Sequence, residues 1–363
     1  MKSVDSAYNF GAGPACLPKS VLKQIKSNIL DWHQGMSVME ISHRSQPFMD
    51  LMQRAESRLR TLLEIPDAFS VLFMHGGARA QFAAVGLNLY YQSSVADYLI
   101  TGHWSEEARK EGAKYTAVQV VADGKAQNYT DLPTLSQSQT HHESKYLYYT
   151  DNETIHGVEF KEPPQVDKLL LCDMTSNILT RSVDWQRYGL VCASAQKNLG
   201  IAGVTVVIVK TDLLNQANPL TPSVMNYQVI ADHQSLYNTC PTFAIYVLDL
   251  MLSWAEQLGG MPYFEAKAEK MSTALYDFID NSSLYKSPVK PNARSRMNIP
   301  FSLLNPAMET EFLKQADKLG LLALAGHRAV GGCRASLYNA MPEEGLEALI
   351  AFMKQFESEQ RKC

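Results

Sequence analysis

The fold of this sequence is decided by two stretches, Lys168-Leu-Leu-Leu-Cys-Asp173 and Leu190-Val-Cys-Ala-Ser-Ala-Gln-Lys197-Asn198. Each begins with a short apolar run typical of a buried strand, and each ends in polar residues. Similar runs, bounded by turn residues, occupy positions 70–74, 98–101 and 204–209. Helical patterns alternate with these runs, so the sequence predicts an α/β sheet whose ligands bind beyond the carboxyl ends of its strands.

The sequence also predicts two domains. Apolar residues recur at helical spacing over 48–63, and a second apolar helix is predicted over 242–258. The stretch Gly259-Gly260-Met261-Pro262 then interrupts the pattern. We therefore predict a large domain over 1–258, including the N-terminal segment, and a smaller domain over 259–363.

Composition limits the function. The chain has 363 residues, of which 46% are hydrophobic, which excludes a disordered protein. Its 33 Lys and Arg against 37 Asp and Glu give a net charge of -4, too weak a field for a nucleic-acid or membrane partner. We find neither a signal-peptide pattern nor a membrane-length apolar run, and we expect a soluble, cytoplasmic protein that binds small anions through local charge clusters.

No metal site is predicted. The cysteines show no Cys-x-x-Cys spacing and are read as reduced thiols: Cys16, Cys172, Cys192, Cys240, Cys333 and Cys363. The pair His141-His142 lies in a polar segment with no acid or cysteine at helical spacing, which favours a solvated loop over a metal ligand.

Two glycine-containing stretches fail as nucleotide motifs. Gly11-Ala-Gly13-Pro14 has no predicted strand before it, and Cys16 stands at the third glycine position of a dinucleotide fingerprint. Gly124-Lys125 resembles the end of a phosphate loop, but Gln119 and Ala126 replace its first glycine and its hydroxyl residue. The chemistry must therefore come from elsewhere.

A third glycine stretch is more informative. His75-Gly76-Gly77-Ala78-Arg79 follows the strand over 70–74 and leads directly into an apolar helix. Backbone N–H groups at such a helix start can bind a phosphate, and glycine allows a close approach. Taken alone, the stretch fits an ordinary tight turn equally well.

Polar residues at the strand ends suggest a cofactor. A lysine such as Lys197 can form an imine with an aldehyde cofactor, and a buried carboxylate such as Asp173 can hold a protonated pyridine nitrogen. Trp104, after the strand over 98–101, could stack on a flat ring. Each residue separately also fits a surface charge or a core tryptophan; their joint placement favours pyridoxal 5'-phosphate.

Nearly the whole chain resembles the phosphoserine aminotransferase family, which are class V, fold-type-I pyridoxal-phosphate enzymes of serine biosynthesis. The resemblance rests on these strings: Asn9-Phe10-x-x-Gly13-Pro14-x-x-Leu17-Pro18, Ser37-Val-Met-Glu-Ile-Ser-His43-Arg44, Ser194-Ala-Gln196-Lys197-Asn198, Tyr237-Asn238-Thr239-x-Pro241-Thr-Phe243 and Gly326-His327-Arg328-x-x-Gly331-Gly332-x-Arg334-Ala-Ser336. It implies an α/β fold with a mostly parallel, mixed sheet flanked by helices and a smaller α+β C-terminal domain.

The resemblance also implies roles for the cofactor-binding residues. Lys197 would bind the cofactor as an imine, Asp173 would pair with the pyridine nitrogen, Trp104 would stack on the ring and Thr154 would hydrogen-bond the ring hydroxyl. The groups implied to hold the cofactor phosphate are the backbone at Ala78 and Arg79 and the side chain of Gln196, with Asn238 and Thr239 from the other subunit of a homodimer. Asn238 and Thr239 could also simply cap the following helix, and Thr154 could be a turn hydroxyl.

For the substrates, the resemblance implies glutamate and 3-phosphohydroxypyruvate, giving 2-oxoglutarate and O-phosphoserine. Arg334 would bind the α-carboxylate through its guanidinium fork. The residues implied to meet the substrate phosphate, or the side-chain carboxylate of glutamate, are His43, Arg44, His327 and Arg328. The family's second activity, on the phosphohydroxythreonine precursor of pyridoxal phosphate, is a further expectation.

Two departures and two alternatives stay open. Where one branch of the family has a third glycine, this chain has Ala78, and we expect a negative φ there because only its N–H is needed. Cys333 places a thiol next to Arg334, so cysteine desulfuration, which needs a mobile cysteine, is one alternative. The other is a catalytically silent dimer that only binds the cofactor or a phosphorylated ligand.

Overall fold

The chain forms a large sheet-and-helix layer structure and a smaller second sheet. The computed structural model describes residues 7–91, 93–136 and 139–361, so Cys363 lies outside the described residues. The α-helices are α1 Lys19–Asn28, α2 Gln46–Leu63, α3 Gly77–Leu89, α4 His103–Gly112, α5 Tyr227–Asp232, α6 Thr242–Gln257, α7 Met261–Asp280, α8 Glu309–Lys318 and α9 Glu343–Gln360.

The strands are β1 Tyr8–Asn9, β2 Phe69–Met74, β3 Val95–Ile100, β4 Ala117–Asp123, β5 Tyr146–Thr150, β6 Asn152–Glu153, β7 Val158–Glu159, β8 Leu169–Asp173, β9 Tyr188–Ser194, β10 Thr205–Lys210, β11 Tyr285–Lys286, β12 Asn298–Leu303, β13 Leu321–Leu322 and β14 Cys333–Ser336. All five predicted runs are strands. The largest difference in their bounds is at β3, which begins three residues before its predicted start at Tyr98.

Seven strands form the central sheet in the order β2-β10-β9-β8-β5-β3-β4. Strand β10 runs antiparallel to both its neighbours, and the other neighbouring pairs are parallel. The predicted α/β fold with a mostly parallel, mixed sheet is confirmed. In the register of this sheet Asp173 pairs with Thr150 on one side and with Cys192 on the other, so the carboxyl ends of β5, β8 and β9 meet at one edge.

Both faces of this sheet are covered, which explains why its strands are continuous apolar runs. In β8, Leu170 and Cys172 pack into the core on one face, together with α2 and α6. Leu171, between them, packs into the core on the other face, together with α3. An alternation of polar and apolar residues would bury polar groups on one of the two faces.

The second sheet, β11-β12-β14, packs with α7, α8 and α9 around a phenylalanine-rich core. Phe10 belongs to this core, and β1 pairs in parallel with β13. The N-terminal segment, which we grouped with the large domain, therefore packs with the later part of the chain. The division at residue 258 itself stays a prediction.

A short strand does precede Gly11, contrary to our expectation. Strand β1 has only two residues and lies outside the central sheet, so it does not open a nucleotide-binding βαβ unit. No described helix is both long and apolar enough to cross a membrane.

Candidate active site

A cavity of about 320 Å³ opens where the carboxyl ends of β5, β8 and β9 meet. This is where an open α/β sheet binds its ligands. The residues that line the cavity are Ala12, Gly13, Ala78, Trp104, Thr150, Asn152, Thr154, Ile155, Asp173, Thr175, Ser176, Gln196, Lys197, His327 and Arg334. Eight of our predicted site residues are among them.

Lys197 is a buried amine with one hydroxyl partner. It follows β9 and is only 8% exposed, and its Nζ donates a hydrogen bond of 2.8 Å to the Oγ1 of Thr154. Burial lowers the pKa of Lys197 to about 8; the charge of Asp173 opposes this shift and that of Arg334 adds to it. At pH 7 about a tenth of this amine is therefore neutral, the form that a nucleophile or a base needs.

Asp173 ends β8 and places a buried carboxyl in the same cavity. Its Oδ1 accepts a hydrogen bond of 2.8 Å from the N–H of Thr175. Burial raises the pKa of Asp173, while the hydrogen bonds from Thr175 and the charge of Lys197 work in the opposite direction. An acid in this position can stabilise a positive charge brought into the cavity.

Trp104, the second residue of α4, forms one wall of the cavity. Its indole Nε1 is buried without a hydrogen-bond partner among the described residues. The guanidinium of Arg79 lies 5.3 Å from the centre of the indole ring, on a side chain that is 62% exposed and forms an ion pair with Glu107. The side chain of Arg79 is therefore occupied outside the cavity.

The glycine turn before α3 places the N-terminus of this helix at the cavity, which Ala78 lines. Gly76 and Gly77 have φ values of 86° and 66°, which favour glycine, and no side chain caps the N-terminus of α3. Ala78 lies inside the helix, so its φ is negative as expected. A Cβ on Gly77 would lie 3.4 Å from the Oγ of Ser194, so the turn packs closely against the end of β9.

Two further polar side chains reach the cavity from the second sheet and the loop before β14, namely Arg334 and His327. The Nη1 of Arg334 donates a hydrogen bond of 3.2 Å to the carbonyl oxygen of Thr154. Its Nε is buried without a partner among the described residues. A buried guanidinium N–H without a partner is a donor left for an anion.

Other predicted site residues do not line this cavity. Arg44 and Arg328 are exposed, and His43 and Arg44 lie in the turn before α2. Asn238 hydrogen-bonds the ring of His75 at 3.2 Å, on the far side of the glycine turn. Of the histidines and arginines predicted to bind the substrate, only His327 and Arg334 therefore line the cavity of their own chain. The others lie on loops outside this cavity. The predicted residues outside the lining are Arg79, His43, Arg44, Arg328, Asn238 and Thr239.

Several polar residues that line the cavity were not predicted from the sequence. Thr150 ends β5, Asn152 follows it, and Thr175 and Ser176 follow β8. Asn152 donates to the Oγ of Ser176 at 2.9 Å and to the Oδ1 of Asn298, in the second sheet, at 2.8 Å. Their positions at strand ends were the available signal, the same signal that identified Asp173 and Lys197.

Known proteins resemble this chain over nearly its whole length. The family model "Aminotransferase class-V" matches residues 7–349. A phosphoserine aminotransferase of Laribacter hongkongensis is 48% identical over 96% of this chain and 98% of that protein. The solved phosphoserine aminotransferase of Bacillus circulans subsp. alkalophilus has a TM-score of 0.94 at 41% identity, covering 98% of this chain and 99% of the other.

A further solved structure is described as a pyridoxal-phosphate-bound phosphoserine aminotransferase from Trichomonas vaginalis. It has a TM-score of 0.92 at 38% identity and covers 96% of this chain and 99% of the other. With a family model that spans the cavity residues and relatives of this identity over both whole chains, this chain belongs to the class-V aminotransferases and, within them, to the phosphoserine aminotransferase family.

Proposed function

We propose that this protein uses pyridoxal 5'-phosphate to transfer an amino group between glutamate and 3-phosphohydroxypyruvate, giving O-phosphoserine and 2-oxoglutarate. The observation that carries the proposal is the pair Lys197 and Asp173, buried together in one cavity of a chain that belongs to the phosphoserine aminotransferase family. Buried lysine and carboxyl groups with opposed, perturbed pKa values are typical of catalytic sites.

The residues of the cavity fit the cofactor. The uncapped N-terminus of α3, with Ala78 at its second position and Gln196 beside it, suits a phosphate. Asp173 suits a protonated ring nitrogen, Trp104 suits a flat ring, and Thr154 is within hydrogen-bond distance of the lysine that would attach the aldehyde. When bound, pyridoxal phosphate supplies an electron sink that lets the Cα–H bond of an amino acid break.

The protein's own groups would then do the following work. Lys197 would attach the cofactor. Once displaced by the substrate amine, its neutral amine would take the Cα proton and deliver it, within the same half-reaction, to the cofactor carbon that carried the aldehyde. Asp173 keeps the ring nitrogen protonated. The buried guanidinium of Arg334 would bind the substrate α-carboxylate with the N–H that has no partner in the described part of the chain.

We propose a homodimer, because six of the implied site residues do not reach the cavity of their own chain. Asn238 and Thr239 would contact the cofactor phosphate of the other subunit. His327 and Arg328, together with His43 and Arg44, would bind the substrate phosphate or the glutamate side chain. Since His43 and Arg44 lie outside their own cavity, this proposal requires them to come from the second subunit.

The proposal extends to two further points. The keto acid that is aminated to phosphohydroxythreonine in pyridoxal phosphate synthesis carries the same phosphate and keto-acid groups, so we include it as a second substrate. We also propose a cytoplasmic location. The described cysteines are free thiols, as expected in a reducing compartment.

Cysteine desulfuration finds less support. Cys333 lies in β14 with 1% exposure and packs into the core of the second sheet. Burial raises the pKa of its thiol to about 12, so it is a poor nucleophile at neutral pH. A fixed, protonated thiol does not suit a reaction that needs a mobile thiolate.

The proposed reaction is tested with glutamate as amino donor and either 3-phosphohydroxypyruvate or hydroxypyruvate as acceptor. We expect kcat/KM to be at least about 100-fold higher for the phosphorylated acceptor. Hydroxypyruvate has no phosphate, so the residues that bind the phosphate would lose several hydrogen bonds with it. Lys197→Ala should abolish turnover and the visible absorbance of the bound cofactor, while Lys125→Ala, an exposed lysine, should leave both unchanged. Equal rates on both acceptors, or an active Lys197→Ala, would contradict the proposal.

A further inference from the structure

A second buried carboxylate lies directly behind the cavity wall. Glu153, in β6, has 0% exposure and does not line the cavity. Burial raises the pKa of Glu153, and the groups that oppose this shift are hydrogen-bond donors of Ser105 and Trp104 rather than a cation. Burying a carboxylate costs free energy unless its oxygens accept hydrogen bonds, and these donors supply them.

Both oxygens of Glu153 hold the first turn of α4. Oε2 accepts the backbone N–H of Trp104 at 3.0 Å, and Oε1 accepts the backbone N–H of Ser105 at 2.8 Å. Oε1 also accepts the hydroxyl of Ser105 at 2.7 Å. Helix N-termini leave such N–H groups without partners, and a carboxylate is the strongest acceptor for them.

The hydroxyl of Ser105 extends this hold to the chain before the helix. Its Oγ accepts the backbone N–H of Thr101 at 2.9 Å and that of Gly102 at 3.1 Å. A hydroxyl has one proton, and its short contact with Glu153 leaves the lone pairs for these two donors. One carboxylate therefore fixes the backbone from the end of β3 into α4.

Gly102 makes this arrangement possible. A Cβ at this position would lie 2.5 Å from the Cδ of Glu153 and 2.7 Å from its Cγ and Oε2. The carboxylate therefore packs directly against the backbone of the helix start. The backbone of Trp104, two residues later, has little freedom to move without breaking these contacts.

Glu153 also restrains a second lining residue, because Thr154 is the next residue in the chain. The Oγ1 of Thr154 accepts a hydrogen bond from the Nζ of Lys197, and the carbonyl oxygen of Thr154 accepts one from the Nη1 of Arg334. The carbonyl oxygen of Glu153 accepts the N–H of Gly157 at 2.8 Å, which closes the turn between β6 and β7. The same residue thus connects the wall that carries Trp104 to the wall that contacts Lys197.

We propose that Glu153 is a positioning residue, which sets the positions of Trp104 and Thr154 in the lining of the cavity and so determines its affinity for a flat aldehyde cofactor. The inference rests on the proposed function for the identity of that cofactor. Glu153 does not touch the cavity itself and takes no part in the chemical steps.

The test uses Glu153→Gln, which keeps the shape of the side chain but turns an amide N–H₂ toward a backbone N–H. The matched control is Glu106→Gln, in the same first turn, whose carboxylate pairs with Arg109 at 2.7 Å. The protein is labelled with 5-fluorotryptophan, and ¹⁹F spectra are recorded without cofactor. The four tryptophans give four resonances, and that of Trp104 is assigned by its loss in Trp104→Phe.

In Glu153→Gln we expect the Trp104 resonance to shift and the dissociation constant for pyridoxal phosphate to rise about tenfold, the loss of a hydrogen bond to a charged group. The resonances of Trp32, Trp185 and Trp254 should stay in place and show that the fold is intact. Glu106→Gln should change neither the Trp104 resonance nor the affinity. Glu153→Gln behaving like this control would overturn the inference.

If Glu153→Gln does not fold, Ser105→Ala decides. It removes one donor to Oε1 and both acceptor contacts of the hydroxyl but leaves the two N–H groups that bind Glu153. A Trp104 resonance shifted in the same way supports the inference, and an unmoved one refutes it. The spectra need no turnover, so a protein that fails the transamination assay but shows these shifts would refute the proposed function alone.

Discussion

At the scale of single residues, the cavity is governed by the removal of water from Lys197 and Asp173. Burial shifts the pKa of each toward its neutral form, and the mutual attraction of the two charges opposes both shifts. Desolvation is the larger effect for each group. The result is an amine that loses its proton far more easily than an exposed lysine.

The pKa of Lys197 predicts an effect on stability. Its pKa in the folded protein, about 8, is below its ordinary value of 10.5, so below pH 8 folding must bury a charged amine. Without cofactor, Lys197→Met should therefore stabilise the protein by up to about 3 kcal/mol at pH 7. The gain should shrink as the pH rises from 8 to 10.5, where the unfolded chain also loses this proton.

Urea unfolding of the cofactor-free protein at pH 7 and pH 9.5 measures this gain. Lys125→Met, at an exposed position, serves as the control and should change stability little at either pH. A gain for Lys197→Met that is the same at both pH values would contradict the assignment of a lowered pKa.

At the scale of elements, the turn between β2 and α3 depends on backbone conformation rather than on side chains. Gly76 adopts a φ of 86° just before the helix. A Cβ there would also lie 2.4 Å from the Cβ of Ala80, one helical turn further on. The positive φ and the close contact with Ala80 both require glycine at position 76. The turn at the N-terminus of α3, where the cofactor phosphate is proposed to bind, therefore depends on this glycine.

We predict that Gly76→Ala destabilises the protein by more than the roughly 1–2 kcal/mol that a left-handed conformation costs an alanine. Gly35→Ala is a matched control: Gly35 has a φ of 83° but no atom within 4 Å of an added Cβ. The difference between the two variants in urea unfolding isolates the contact with Ala80. Equal losses would show that the turn relaxes without cost.

At the scale of the whole molecule, the cavity depends on both sheets. Asn298, in β12, accepts from Asn152 at 2.8 Å and donates to the hydroxyl of Tyr338 at 3.1 Å. Tyr338 in turn donates to the carbonyl oxygen of Ala12, which lines the cavity. This chain of hydrogen bonds ties the N-terminal loop and the second sheet to the strand ends of the first.

The proposed dimer predicts that two inactive variants restore activity to each other. When Lys197→Ala and Asn238→Asp chains are mixed and refolded together, half of the dimers are hybrids. In each hybrid one site has both defects and the other has none, so about a quarter of all sites should be intact. Activity near that fraction supports contribution of Asn238 across the interface; activity no higher than the sum of the parents contradicts it.

The sequence by itself determined the layers of the fold and the residues at its strand ends. Continuous apolar runs predicted β8 and β9, and the polar residues that end them, Asp173 and Lys197, were predicted from the same local pattern. Such patterns are visible because strand formation and burial on both faces depend mainly on neighbouring residues. The chemistry of the cavity was in this sense a local property of the chain.

Only the tertiary structure decided which of those residues meet and which do not. The register of parallel strands aligned Thr150 with Asp173, and the packing of distant segments removed water from Lys197. Glu153, in β6, came to bind the first turn of α4 although it lies 49 residues from Trp104 in the sequence. The same packing paired β1 with β13 and left Arg44 exposed, outside the cavity of its own chain. These outcomes depend on long-range contacts and desolvation, which no local pattern in a sequence records.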